Sequence, residues 1–392
     1  MVKRSVREAE LRSKRALVRV DFNVPLTEER KVADPRRIVE ALPTLRFLKD
    51  RGARLVLMSH LGRPDGHPDP RLSLRPVAEE LSERLGQPVL MADAAVGPGA
   101  EKRVKEAGNG DIVLLENLRF DPGEEANDPS FAQGLARMGD LFVEEAFGTV
   151  HRAHASTVGV AKLLPSYAGF LVEKEMGELS RLMTTPERPF VALLGGAKVK
   201  DKLPLLHRFR EKADTLLVGG AMAFPFLQEL GGQLGGQPPE AGLEKEVKRF
   251  LDAENSKGAT VRLPLDFVVQ DLRDGTIREA KAMEVPENHR ALDIGPRTRA
   301  MFGNHLRSSR TVFFNGPMGK IEDPRFANGT REVLSSLRGV PGVHISAGGD
   351  SARALADLGV EDCFTYVSTG GGAAIEFIEG RELPGLAVLP DG

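Results

Sequence analysis

The sequence predicts an α/β fold in two domains, each a parallel sheet with helices on both faces. Three observations predict it. The chain has 392 residues, more than one hydrophobic core ordinarily spans. Short apolar runs alternate with longer amphipathic stretches along its length, the signature of strand–helix–strand units. The residues that follow the apolar runs change character half-way along, from charged to glycine.

Eight runs read as buried strands: RALVRV (15–20), RLVLMS (54–59), DIVLLE (111–116), DLFVEE (140–145), FVALLGG (190–196), TLLVGG (215–220), TVFFNG (311–316) and VHISAGG (343–349). Between them RIVEALPTLRFLKDRG (37–52) and RPVAEELSERLG (75–86) carry helical periodicity. The join lies within 164–189. Its middle, FLVEKEMGELSRLM, is helical in pattern, and PERP ends the helix before the next strand. GGQLGGQPPE (231–240) reads as a surface loop.

Composition removes several classes of function. A formal net charge of −2 gives no general attraction to nucleic acid or anionic membrane. Tryptophan is absent and there are two tyrosines, so base-stacking platforms are not expected. The one cysteine, Cys363, rules out an internal disulfide and a thiol-rich metal site. The first residues, MVKRSVREAELRSKR, are too charged for a signal peptide. No apolar stretch approaches the roughly 20 residues of a membrane span. A cytoplasmic protein is expected.

Ligands of doubly wound sheets bind beyond the carboxyl ends of the strands, so the residues there carry the functional reading. In the first half they include Asp21 and Asn23, then His60 and Arg63, Arg119, and Arg152, with Arg37 near a further boundary. Arginine's planar fork binds carboxylate or phosphate through paired hydrogen bonds. Several forks converging from different strand ends suit a small, multiply anionic metabolite. His60 adds a donor, and Asp21 and Asn23 can hold a hydroxyl.

In the second half the strands end in glycine. GGAKVKDK (195–202) is expected to open a helix, with Lys198 and Lys202 on one face of it. Glycines admit phosphate oxygens to the backbone amides, and a helix N-terminus adds positive potential. AGGDS (347–351) repeats the pattern with Asp350, a carboxylate at a helix start that can cap the helix or bind Mg2+. STGGGA (368–373) gives a third glycine loop, and FFNGPMGKIE (313–322) supplies Asn315 and Glu322, the latter suited to ribose hydroxyls. Neither a Walker A loop nor a Rossmann dinucleotide fingerprint occurs.

RVDFNVP (19–25), SHLGRP (59–64), LLENLRF (114–120), AFGTVHRAHAS (146–156), LGGAKVKDK (194–202), NGPMG (315–319), GGDS (348–351) and STGGGA (368–373) together resemble phosphoglycerate kinases, in family order across the whole chain. The resemblance implies two doubly wound, Rossmann-like domains facing across a cleft and closing by a hinge. Residues 1–168 would bind 3-phosphoglycerate or 1,3-bisphosphoglycerate, 169–187 would form the connecting helix, and 188–373 would bind MgADP or MgATP. Residues 374–392 would return to the first domain. Substrate contacts would be Asp21, Asn23, Arg37, His60, Arg63, Arg119 and Arg152. Nucleotide contacts would be Gly196, Lys198, Lys202, Gly219, Asn315, Glu322, Gly348, Gly349, Asp350 and Ser351, with Asp350 facing Mg2+. Arg37, Lys198 and the backbone at Gly371 and Gly372 would stabilise the transferring phosphoryl group. A monomer is expected.

Some positions depart from the family's usual residues. Glu144-Glu145 stand where Asn-Asp is common, Phe314 where tryptophan is usual, Pro225 for threonine, and Ala291 and Ala347 for glycines. Lys320-Ile321 replaces Val-Phe. None removes a charged group assigned to the chemistry. Two other readings fit two α/β domains: a catalytically silent nucleotide-binding scaffold and a nicotinamide-dependent oxidoreductase. Retention of Lys198, Arg37 and Asp350 argues against the first, and the missing dinucleotide fingerprint against the second.

Overall fold

The computed structural model describes residues 2–237, 242–252 and 258–392. It divides into two compact units. One is Met1–Gly177 with Gly380–Gly392; the other is Glu178–Glu379.

The sheet of the first unit comprises β1 (Arg15–Arg19), β2 (Arg54–Met58), β3 (Val89–Met91), β4 (Ile112–Leu114), β5 (Leu141–Glu144) and β6 (Ser166–Ala168). Every neighbouring pair is parallel, in the order β3-β4-β2-β1-β5-β6. Ala16, Leu17 and Val18 of β1 are wholly buried, as a strand covered on both faces requires. The chain leaves β1 toward β2 on one side and returns to β5 on the other. The switch point therefore lies between β1 and β5, where Arg19 and Glu144 stand side by side in register. The flanking helices follow local rules. Pro76 occupies the first turn of the helix Arg75–Leu85, and Gly86, in the left-handed region at φ 65°, ends it. The last residues pack on this unit: Lys3 Nζ lies 2.8 Å from Asp391 Oδ1, and the Gly385 amide donates to the Val150 carbonyl at 2.8 Å.

The second unit repeats the plan. Its strands are β7 (Phe190–Leu194), β8 (Thr215–Val218), β9 (Gln233–Leu234), β10 (Thr260–Arg262), β11 (Asp266–Asp271), β12 (Ile277–Lys281), β13 (Glu284–Val285), β14 (His289–Ile294), β15 (Thr311–Asn315), β16 (Val343–Ser346) and β17 (Tyr366–Val367). The main sheet is parallel in the order β10-β8-β7-β15-β16-β17, so its switch point lies between β7 and β15. Phe313 stacks on Phe209 at 4.5 Å, and Phe190 meets Phe209 edge-on at 5.8 Å. Helix and sheet are thereby fixed by an aromatic layer.

An antiparallel sheet, β12-β11-β14, and a parallel pair, β13-β9, are added to this unit. The pair corrects the expected loop at 231–240: Gln233–Leu234 is a strand against Glu284–Val285, and residues 238–240 lie outside the described residues. The helix Phe170–Thr184 occupies the predicted connecting segment.

Candidate functional site

In the first unit the loops beyond β1, β2 and β4 are tied to one another by buried side chains. Asn117, wholly buried, donates through Nδ2 to the Leu61 carbonyl at 2.7 Å and accepts the Leu61 and Arg119 amides through Oδ1. Asn23 Oδ1 accepts the Gly62 amide at 2.9 Å. Arg119 donates to the Gly62 carbonyl at 3.0 Å, and its Nε forms an ion pair with Glu125 at 3.2 Å. Asn23 and Arg119 are thus held by the backbone of Gly62.

Arg37 is not at a strand end. It lies in the first turn of the helix Arg36–Asp50 and reaches the β1 loop by pairing with Asp21 at 2.5 Å. Arg63 and Arg152 are exposed, Arg152 bonded to His151 at 3.2 Å. His60 is buried with Nδ1 3.1 Å from Arg19 Nη2. A guanidinium can only donate, so Nδ1 accepts and Nε2 carries the hydrogen. Burial, then the charges of Arg19, Arg119, Arg37 and His154, hold the imidazolium well below its usual range. His60 is a neutral donor inside a convergent cationic field.

Sequence reasoning missed the layer behind this field. Arg19 is 1% exposed. It donates to Ser156 Oγ at 2.8 Å, to the Val20 carbonyl and to His60. Ser156 in turn donates from its hydroxyl to Glu124 Oε1 at 2.6 Å and from its amide to Oε2. Burial raises the Glu124 carboxyl, but His154, Arg19 and Ser156 outweigh it and keep it below its usual range. The available signal was an arginine within an otherwise apolar run, since a charge buried in a two-sided strand needs a built network.

In the second unit the switch point is lined by backbone. Lys202 Nζ donates to the Gly195 carbonyl at 2.6 Å and lies 3.4 Å from that of Asn315. Asn315 Nδ2 donates to the Ala347 carbonyl at 2.7 Å, and Ser351 Oγ accepts the Gly316 amide at 2.9 Å. Gly316, at φ 89°, lies against backbone: a Cβ there would clash with the Gly195 carbonyl, which cannot swing aside as the nearby Lys202 ammonium could. Gly348, at φ 99°, would place a Cβ 2.6 Å from Asn315 Nδ2. It caps the helix Gly349–Leu358, which sets Asp350 in the first turn.

Beside this point opens a cavity of about 400 Å3, lined among others by Gly196, Gly220, Asp293, Glu322, Asp350 and Arg353. Of the predicted nucleotide residues it gathers Gly196, Glu322 and Asp350; Lys202, Asn315, Gly348 and Ser351 brace its wall. Gly219 packs against Met318. Asp293, Arg290 and Arg353 were not predicted. Burial pushes the Asp293 carboxyl up to about 7, opposed by the amides of Gly329 and Ile294.

The glycine loop corrects one expectation. Gly195-Gly196 does not lead directly into a helix: a 3-10 turn, Lys200–Lys202, precedes the helix Leu203–Lys212. Lys198 and Lys202 therefore do not share a helix face. Lys198 is exposed, while Lys202 is largely withdrawn into the loop. Gly371, at φ 54°, and Gly372 begin the helix Gly372–Glu379 after the edge strand β17, and do not line the cavity.

The sequence model of the phosphoglycerate kinase family, described as "Phosphoglycerate kinase", matches residues 6–381. The chain belongs to the phosphoglycerate kinase family. A phosphoglycerate kinase of Rubrobacter xylanophilus is 50% identical over 395 residues, covering 100% of this chain and 99% of that one. One of Desulforudis audaxviator is 48% identical, with 99% of each chain covered. The solved phosphoglycerate kinase of Coxiella burnetii superposes with a TM-score of 0.87 at 35% identity, covering 98% of both chains. That of Pyrococcus horikoshii gives 0.84 at 32%, again over 98% of both. The two doubly wound parallel sheets are those of phosphoglycerate kinases. Neither the oxidoreductase nor the silent-scaffold reading finds support among these relatives.

Proposed function

We propose that this chain catalyses reversible phosphoryl transfer from 1,3-bisphosphoglycerate to MgADP, giving 3-phosphoglycerate and MgATP. Membership of the phosphoglycerate kinase family supports the reaction. The observation that carries the division of labour is the segregation of the two switch points. One collects Asp21, Arg37, His60 and Arg119 around a neutral histidine. The other collects glycine backbone, Glu322 and Asp350 around a cavity.

In this reading Arg37, His60, Arg63, Arg119 and Arg152 hold the carboxyl and phosphate oxygens of the substrate, and Asp21 and Asn23 its hydroxyl. Gly196, Lys202, Gly219, Asn315, Gly348, Gly349 and Ser351 form the nucleotide's phosphate wall, and Glu322 takes the ribose. The acyl phosphate and the nucleotide oxygen react in line, so no covalent enzyme intermediate or catalytic base is needed in the ATP-forming direction. Catalysis is positioning plus charge stabilisation. Arg37, Lys198 and the Gly371 and Gly372 amides are assigned that stabilisation.

Asp350 fits a magnesium-nucleotide site. It is an exposed carboxylate at the cavity wall, and among the described residues no cluster of three metal-ligating side chains occurs. A single carboxylate beside a phosphate wall suits Mg2+, which takes one or two carboxylates plus substrate phosphates. When bound, Mg2+ neutralises charge on the phosphate oxygens.

Among the described residues no helix is long and apolar enough to cross a membrane. A cytoplasmic monomer that binds neither membrane nor nucleic acid is the reading we adopt. The deciding experiment couples ADP release to a spectrophotometric signal with ATP, Mg2+ and 3-phosphoglycerate. Turnover dependent on 3-phosphoglycerate is expected; its absence in folded protein that binds both ligands would return the scaffold reading.

A further inference from the structure

Glu144 closes β5 beside Arg19, its register partner on β1, and none of its side chain is exposed. Oε1 accepts the Ala146 amide at 2.9 Å. Oε2 is buried and has no hydrogen-bond partner. The phosphoryl transfer described above makes no use of this carboxyl. We infer that Glu144 is a positioning residue of the phosphoglycerate site: held as a neutral acid, it leaves Arg19 on His60 and Asp21 on Arg37. The inference rests on reading the first unit as the phosphoglycerate site.

The surroundings require neutrality. From β1 Glu144 faces Arg19, and from the loop after it Asp21; from the short helix Pro122–Glu125 it faces Glu124; Glu145 follows it in the chain. On its other side β6, Ser166–Ala168, brings no charged residue. Arg19 already donates to Ser156, to the Val20 carbonyl and to His60. An ionised Glu144 would be a third carboxylate near that guanidinium, with one oxygen lacking any donor. An unpaired buried carboxylate takes up a proton instead. Burial indeed raises this carboxyl to about 8, with Glu124 and Asp21 adding to the rise and Arg19 and the Ala146 amide opposing it.

Losing the proton has a directed consequence. The new anion draws Arg19 toward Oε2 and away from His60 Nδ1, and repels Asp21, the partner of Arg37. Both movements disturb groups assigned to the substrate.

The test is calorimetric titration of 3-phosphoglycerate into the full chain without nucleotide, between pH 7 and 9.5. The ligand's phosphate ionises near pH 6, so it contributes no change in this range, and omitting nucleotide keeps Lys202 out of the measurement. Wild-type affinity should hold to about pH 7.5, then fall toward tenfold per pH unit above about 8. Glu144→Gln should bind like the wild type at pH 7 and stay flat to pH 9.5, while Glu144→Ala should bind several-fold more weakly throughout. Glu144→Asn is the second variant should the glutamine form not fold. A flat wild-type profile, or an alkaline fall that persists in the amide variant, overturns the inference. Arg63→Ala is run alongside. If it leaves the affinity unchanged, the site reading fails and the inference with it; if it weakens binding while the amide variant keeps the alkaline fall, the inference alone fails.

Discussion

Lys202 folds back onto its own loop, its ammonium donating to the Gly195 carbonyl at 2.6 Å. The contact puts a positive charge at the β7–β15 switch point, against the backbone that the nucleotide phosphates are proposed to meet. Burial draws this ammonium down to about 8, with Asp350 opposing the fall. A bound phosphate favours the charged form, so MgADP affinity should be complete below about pH 8 and decline as pH rises above it. Lys202→Met should weaken MgADP at pH 7 by about 1.5–3 kcal/mol, the range for a hydrogen bond to a charged group, and give a flatter profile. Calorimetry across pH 6.5–9.5 measures both, and a wild-type affinity constant over that range would remove Lys202 from the phosphate wall.

Lys198 contrasts with it. The side chain is exposed, and the described residues offer it no hydrogen bond or ion pair. Lys198→Ala should therefore leave the melting temperature within about a degree, consistent with the small effects of surface substitutions. If Lys198 acts on charge that develops in the transition state, turnover should fall by about 2.7–4 kcal/mol in the barrier, with MgADP affinity changed much less. Near-normal turnover would strip Lys198 of the role.

Arg63 and Arg119 separate binding from stability. Arg63 is exposed; Arg119 is 7% exposed and fastened to Gly62 and Glu125. Replacing either by alanine should weaken 3-phosphoglycerate and spare MgADP. Only Arg119→Ala should also lower stability, by about 1–3 kcal/mol, because it deprives the Gly62 carbonyl of its donor. Paired calorimetry and denaturant unfolding check this; equal loss of both ligands would contradict the two-site division.

The eight strands read from sequence are all present because each is a mostly apolar run that the fold buries on both faces. The sequence did not reveal β11 and β14, six residues each, whose apolar residues are interrupted by Asp, Gln, His and Arg, and most of the others it missed are short or exposed. β3, β6, β10 and β17 have two or three residues each, too few for periodicity to register. β12 is mostly exposed, so it lacks the apolar signal. At the sites, residue types at strand ends were legible and conformations were not. Helical spacing suggested that Lys198 and Lys202 share a face, but the intervening 3-10 turn breaks that register. Arg37 reached its place through a salt bridge to Asp21, which no local pattern encodes. Arg19 and Glu144 were visible as letters, yet their pairing depends on which strands become neighbours.

The helix Phe170–Thr184 begins on a buried clamp. Thr44 Oγ1 accepts the Phe170 amide at 3.0 Å. The Glu145 carboxyl accepts the Leu171 amide at 3.2 Å and a hydrogen bond from Thr44. Two of the helix's first amides thus find partners inside the first unit, from a strand end and from the helix that carries Arg37. Thr44→Val, nearly the same shape, should cost about 1–3 kcal/mol by leaving the Phe170 amide without its acceptor and Glu145 without a donor. Thr44→Ser should restore most of it. Burial, opposed by those two hydrogen bonds, raises the Glu145 carboxyl well above its usual range. Its folded form therefore holds a proton that the unfolded chain releases near 4.5, and stability from this group falls as pH rises from there toward the folded value. Glu145→Gln should remove that slope while keeping an acceptor for Leu171. Guanidinium unfolding at pH 5 and pH 8 measures the difference. An equal pH dependence in wild type and Glu145→Gln would show that Glu145 keeps its ordinary ionisation, and that the clamp holds the helix as a fully charged carboxylate.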